Sequence, residues 1–357
     1  MRTSKIFPSD DQKLLSSPSA DLYENCVQCP RLCAVSRSKG QQGFCKESEN
    51  LKIAAAELHF GEEPLVTVHG GSGTIFFSGC NLRCVFCQNY QISLLGTGKI
   101  VSKQEFSDLC IKLQNAGAEN INLVTGSHHI PKIAEYLEES VKNGLKIPVC
   151  WNSSGYENIE TLKLLQDFVT IWLPDLKTLN HELAQKIFCA ENYPEVAKTA
   201  IAWMIKNYPL KITTTTKNKI TKEKIERGVI VRHLFLPGLF EQTAEVLFWL
   251  KENADKNAVI SLMTQYTPIR QPQLKKFDEN SKKRFDAACN FFENRFTNKE
   301  ENSDLKDLIE AFDFEYLFYQ DAGGKSKRDT DIIPDFDKKQ SFESSLAVPI
   351  WHWKYEI

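Results

Sequence analysis

The sequence predicts an α/β fold: an open, partial β/α barrel of about six parallel units, with a small N-terminal four-cysteine segment and a C-terminal extension. Three observations predict it. Short apolar strands alternate with helix-period segments between residues 74 and 296, as repeated β–α units of a parallel sheet do. Six such units are too few to close an eight-stranded barrel. A tight cysteine run follows the first strand directly, on the face where such folds gather their chemistry.

The elements follow in order. Residues 74–78 (TIFFS) are the first strand, ending at Gly79, and residues 105–116 carry a helical period. Residues 120–125 are the second strand, followed by a helix over 133–142. Residues 147–152 are the third, with a helix over 160–168, and residues 169–173 the fourth, with helices around 182–187 and 195–205. Residues 229–235 and 258–263 complete the set, backed by helices over 242–253 and 281–296. Asn152, Asp175, Arg232 and Gln265 fall at or just after strand ends and so belong to one mouth.

This divides the chain into a polar tail (1–22), a four-cysteine segment and connector (23–72), the partial barrel (73–297) and an extension (298–357). Residues 209–227 are polar and Thr/Lys-rich, an excursion that reads as a hairpin. Residues 298–304 read as a charged linker. The aromatic end, Trp351-His352-Trp353-Lys354-Tyr355, reads as docked on the body.

The chain has 357 residues, 42% hydrophobic and 25% charged, with a net charge of −2, an ordinary globular composition without a basic stripe for nucleic acid. Lysine and arginine are dispersed, and small clusters such as Lys325-Ser326-Lys327-Arg328 read as solvated loops. Residues 1–20 lack the apolar core of a signal peptide, and no run is long enough to span a membrane, so a cytoplasmic protein is expected. Seven of the eleven cysteines fall into two tight groups, whereas Cys110, Cys150, Cys189 and Cys289 are single and read as core filler.

Cys80, Cys84 and Cys87 form C-x3-C-x2-C. Three closely spaced thiolates suit an iron–sulfur cluster, and three ligands for a four-iron cubane leave one iron open to a substrate or cofactor. A zinc site lacking its fourth ligand is the plainer alternative. Cys26, Cys29, Cys33 and Cys45 form C-x2-C-x3-C-x11-C, with Pro30, Gly40 and Gly43 supplying turns. Four thiolates answer to a structural zinc ion or to an auxiliary iron–sulfur cluster, and the spacing, unlike the bacterial ferredoxin run, favours zinc. A segment too short for its own core needs such a staple. Between the two groups, Glu62 and Glu63 are either catalytic or an anchor for the cysteine segment; adjacent side chains diverge, which favours the anchor.

The loop around Cys80 resembles the radical S-adenosylmethionine superfamily, including Phe86 just before the third cysteine. A narrower resemblance covers about residues 23–268. Residues 71–80 (GSGTIFFSGC) continuing to Cys87-Gln88-Asn89-Tyr90, with 152–156 (NSSGY), 173–177 (LPDLK), 231–234 (VRHL) and Gln265-Tyr266, are similar to proteins related to the pyruvate formate-lyase activating enzyme.

The resemblance implies a [4Fe-4S] cluster on Cys80, Cys84 and Cys87 and S-adenosylmethionine chelated at the open iron. One electron cleaves the sulfur–C5′ bond, and a 5′-deoxyadenosyl radical abstracts hydrogen. It implies Phe86 near the adenine, Asp175 and Lys177 at the ribose and carboxylate, and Arg232 near the same carboxylate. A strand-end salt bridge is the alternative for these three charged residues. Where many members carry Gly-Gly-Glu for the methionyl amine, this chain has Thr125, Gly126 and Ser127, which offer hydroxyls and close backbone approach but no carboxylate. His128 and His129 follow, candidates for facing the substrate or for proton chemistry. Asn152 and Ser153 align with an Asp-Thr pair beside a monovalent cation in the activating enzyme, but Asn152 lacks the charge, and no cation is expected.

Three functions are open at this point: activation of a glycyl-radical protein, direct radical modification of a small molecule, peptide or RNA, or a non-catalytic iron–sulfur or zinc protein. The resemblance also implies a low-potential donor such as flavodoxin or ferredoxin.

Overall fold

The computed structural model describes residues 19–321, 333–342 and 345–357. The basic cluster at 325–328 and the tail up to residue 18 lie outside the described residues.

Among the described residues eleven strands form one path with two side pairs: β1 (Lys52–His59), β2 (Ser72–Phe77), β3 (Lys99–Ile100), β4 (Ile121–Val124), β5 (Val149–Ser153), β6 (Val169–Pro174), β7 (Lys211–Lys217), β8 (Ile220–Leu234), β9 (Val259–Met263), β10 (Leu317–Gln320) and β11 (Ala347–His352). The order is β10-β9-β8-β6-β5-β4-β2-β1-β11, with β3 on β1 and β7 on β8. From β2 through β10 every neighbour pairs in parallel. The ends do not pair with each other, so the barrel is open, as the β–α repeat predicts.

The structure adds detail at both edges. Seven parallel strands are present, one more than the six read from sequence, because β10, inside the segment read as an extension, pairs with β9. At the other edge β1 and β11 are antiparallel. Residues 298–304 are not a linker: they open a helix, Lys299–Phe312, whose N-cap Asn298 forms a capping box with Glu301. The expected hairpin is β7 against the first half of β8. The aromatic end docks as expected, with β11 on β1 and Trp353 Nε1 donating to the Phe336 carbonyl at 2.8 Å.

Strand alternation sorts the core into two sides. Ile121, Leu123, Val149, Trp151, Val229 and Val231 pack outward with the helices. Cys150, Ile171, Leu173, Ile230 and Val259 face inward and rest on Leu65 and Val66, so the turn between β1 and β2 is the floor of the barrel. Of the single cysteines, Cys110 and Cys150 are buried filler, whereas Cys189 and Cys289 are only partly buried.

Candidate active site

The cluster loop leaves β2 through Gly79, whose φ is +79°. A Cβ there would lie 2.9 Å from the Cys45 carbonyl oxygen and 3.0 Å from His128 Nε2, so only glycine lets the loop pass between the four-cysteine segment and the barrel. The Cys80 sulfur lies 3.4 and 3.5 Å from the backbone nitrogens of Leu82 and Arg83, and Ser93 Oγ donates to Cys87 Sγ at 3.2 Å. Burial pushes the Cys84 thiol well up and the Cys87 thiol up to about 11. Left free, these thiols would stay protonated; binding a metal centre would make them thiolates. Closely placed thiols with hydrogen-bond donors and the Lys177 ammonium beside them fit the [4Fe-4S] ligand set.

Of the strand-end residues expected at the mouth, Asn152, Asp175 and Arg232 converge. Arg232 donates from Nε to Asp175 Oδ1 at 2.9 Å and from an Nη to Asn152 Oδ1 at 2.6 Å. Lys177 Nζ reaches Asp175 Oδ2 at 2.6 Å. Burial would raise the Asp175 carboxyl, but Arg232 and Lys177 outweigh it and hold the group below the ordinary range. Burial would likewise lower Lys177, and Asp175 more than offsets it. Tyr193 Oη bridges the carbonyls of Ser154 and Asp175 at 3.0 and 2.9 Å and receives the Lys177 N–H at 2.9 Å, clamping the loops after β5 and β6. Phe86 stands edge-on to Phe188, Tyr266 and Phe292, with ring centroids 6.3, 6.1 and 5.9 Å away.

After β4 the backbone is unusual. Thr125 has φ +61°, rare for a β-branched residue, and a Cβ on Gly126 would lie 2.6 Å from Ile133 and 2.7 Å from Trp151. Ser127 Oγ donates to Glu157 Oε1 at 2.7 Å; Trp151 Nε1 and Ser153 Oγ donate to the same carboxylate at 2.6 and 2.8 Å. Sequence reasoning missed Glu157: no carboxylate follows Gly126, but one arrives from the next loop, and only its place after the matched Asn-Ser-Ser-Gly-Tyr segment marked it. Burial raises its pKa, partly relieved by these donors.

His128 and His129 do not serve the mouth as expected. His128 Nε2 lies 2.7 Å from the Ser78 carbonyl oxygen, and His129 contacts Tyr23 and Arg37 at 3.3–3.4 Å. Burial holds the His128 pKa down at about 3 and His129 well below its usual value. Both are neutral packing groups against the N-terminal segment.

That segment is pinned by three arginines. Arg37, buried, donates to the carbonyls of His128 and Ser48 at 2.6 Å and covers the Tyr23 ring. Arg31 donates to the carbonyls of Asn81 and Phe188 at 2.7 Å. Arg83 reaches back to the Phe44 carbonyl at 3.5 Å. Burial pushes the Cys29 thiol up to about 12, and Cys45, Cys26 and Cys33 add smaller contributions, so the four cysteines are electrostatic neighbours of a kind a metal centre would neutralise. Among the described residues no three or more His, Cys, Asp and Glu side chains are arranged to hold a single metal ion.

Glu62 and Glu63 correct a second expectation. They do not anchor the cysteine segment; both enter the barrel from its floor. Glu62 accepts from Asn122 and Asn152 at 2.6 and 3.2 Å and lies 3.6 Å from Arg232, whereas Glu63 accepts from Gln320 at 2.9 Å.

An open, mostly parallel barrel with a three-cysteine loop at the C-terminal ends of its strands, facing a largely buried Asp–Lys–Arg network, has the architecture of the partial-barrel cofactor enzymes. Residues 74–229 match the Radical SAM superfamily. An uncharacterised protein of Methanocaldococcus jannaschii is 33% identical over 258 residues, covering 70% of this chain and 68% of that one. The chain belongs to the radical SAM superfamily. Among solved structures, SuiB of Streptococcus suis bound to S-adenosylmethionine aligns with a TM-score of 0.45 at 12% identity over 68% of this chain. This chain spans about half of SuiB, 48%. A domain of the pyruvate-formate lyase-activating enzyme of Bacteroides vulgatus aligns with a TM-score of 0.34 at 10% identity, over 54% of this chain and 92% of that domain. Among the described residues no helix is long and apolar enough to cross a membrane.

Proposed function

We propose that this enzyme holds a [4Fe-4S] cluster on Cys80, Cys84 and Cys87 and cleaves S-adenosylmethionine beside it to start hydrogen abstraction from a substrate in the barrel. The observation that carries this reading is the placement of Lys177 and Asp175 within electrostatic reach of Cys84. Cys80, Cys84 and Cys87 would hold the cluster, whose chemistry would be one-electron cleavage of the adenosylmethionine sulfur–C5′ bond to methionine and a 5′-deoxyadenosyl radical. Asp175 holds Lys177 and Arg232 as fixed, ionised cations, a fitting receptor for a carboxylate. Phe86, with its aromatic neighbours, offers an apolar wall to an adenine ring. Of the Thr125–Ser127 turn, Thr125 is the residue left partly exposed at the strand end, while Gly126 and Ser127 fix the turn through Trp151 and Glu157. The electron comes from a low-potential protein donor of the flavodoxin or ferredoxin type, in the cytoplasm.

The resemblance to activating enzymes supports a glycyl-radical protein as the target. The polar groups inside the barrel, Glu62, Glu63, Asn122 and Arg232, favour the second reading, direct modification of a molecule held in the lumen. For the four-cysteine site the C-x2-C-x3-C-x11-C spacing, rather than a preformed ligand geometry, supports a structural zinc ion, with an auxiliary cluster as the other outcome of metal analysis. Anaerobically reconstituted protein with dithionite and S-adenosylmethionine is expected to form 5′-deoxyadenosine. None formed by fully cluster-loaded protein overturns the proposal. A glycyl doublet in electron paramagnetic resonance with a candidate partner selects the first target class; its absence alongside deuterium transfer from a labelled small molecule selects the second.

A further inference from the structure

The lumen below the mouth holds more hydrogen-bond acceptors than the mouth network uses. Glu62 and Glu63 rise from the floor beside Leu65 and Val66. Glu62 is served by Asn122, Asn152 and Arg232. Glu63 is only 3% exposed; its partners, the Gln320 amide and the Ser261 hydroxyl, are neutral, and it forms no ion pair among the described residues, so a cation seated against it would displace the proton that burial lets it keep. Arg232 is already shared among Asp175, Asn152 and Glu62. Asn122, on the inner face of β4, is fully buried, and its Oδ1 has no hydrogen-bond partner. Its amide cannot turn to escape this, because Oδ1 would then face the Glu62 carboxylate that Nδ2 now holds at 2.6 Å. Buried acceptors left unmet are costly, so a group that supplies several N–H donors and positive charge is what this space lacks.

We propose that the lumen binds an ammonium or guanidinium group of the substrate against Glu62, Glu63 and the Asn122 carbonyl. This rests on the radical reading above only in taking the ligand to be the substrate. Arg232 at the top of the lumen orients the rest of the molecule toward the mouth, and the apolar floor of Leu65 and Val66 sets the depth.

Isothermal titration calorimetry on cluster-loaded protein, with and without S-adenosylmethionine, tests it. The probes are n-butylguanidine for guanidinium, n-butylamine for ammonium and 1-butanol as the neutral isostere. One cationic probe is expected to bind at least roughly tenfold more tightly than butanol, and to lose at least about that factor in Glu63→Gln and in Asn122→Leu. Thermal melting without probe shows that each variant is folded. No binding of either cation, equal binding of cation and alcohol, or binding unchanged in both folded variants would overturn the proposal. Cation binding by protein that forms no 5′-deoxyadenosine leaves the cation site standing and removes only the radical reading.

Discussion

Arg232 Nε sits 2.9 Å from Asp175 Oδ1 while Lys177 Nζ takes the other oxygen at 2.6 Å, so one largely buried carboxylate at the ends of β6 and β8 compensates two cations. The arrangement is rigid before any ligand arrives. It presents two ionised donors whose counter-charge is fixed in place.

Asp175→Asn leaves Lys177 and Arg232 short of charge in a buried site, which costs about 3–5 kcal/mol by urea unfolding at neutral pH. The Asp175 carboxyl is held below its ordinary value, so its contribution is fully present above the unfolded pKa near 4 and is lost as pH falls through the lower folded value. The gap between wild type and variant should therefore close only in acid.

Gly126→Ala pushes a methyl group into Ile133 and Trp151, whose nearest atoms are 2.6 and 2.7 Å from the new Cβ. Both neighbours are fully buried. A cost of about 1–3 kcal/mol is expected from thermal melting, with weaker adenosylmethionine binding as the Thr125–Ser127 turn shifts.

Arg37→Met keeps bulk and removes the donors to the His128 and Ser48 carbonyls. Two carbonyls left unmet cost about 2–4 kcal/mol in total. Limited proteolysis should cut the four-cysteine segment faster in the variant than in the wild type.

The parallel core was legible because its strands are short, apolar and β-branched, and the cluster loop because cysteine spacing is local. Lys52–His59 was not. Its Ala-Ala-Ala-Glu-Leu run favours helix, and pairing with β2 and β11 overrides that preference. Leu317–Gln320 is a short run after a helix and becomes a strand only because β9 offers an edge. His128 and His129 followed a strand end, where side chains often face the mouth, but Arg37 and the cluster loop claim them. The Glu62–Asn122 and Ser127–Glu157 contacts join separate loops and strands, and no local spacing announces them.

Burial outweighs Arg232 and pushes the Glu63 carboxyl up to about 7, with Glu62 adding to the rise and Ser261 and Gln320 opposing it. The folded state then keeps a proton that the unfolded state releases, so stability falls as pH rises from about 4.5 to about 7, by an amount on the order of 3 kcal/mol. In Glu63→Gln that slope should be shallower. Urea unfolding of both proteins across this range checks it, and parallel curves would contradict the assignment.

The most direct test of the site as a unit is a titration of S-adenosylmethionine into reduced, cluster-loaded protein, followed through the electron paramagnetic resonance of the cluster. Wild type and Lys177→Met are compared at equal iron content. A charged hydrogen bond is worth about 1.5–3 kcal/mol, so the variant should bind at least roughly tenfold more weakly, while its ligand-free signal still integrates to the same cluster content. Equal affinity in the two proteins would contradict the claim that the Asp175–Lys177–Arg232 network receives the cofactor.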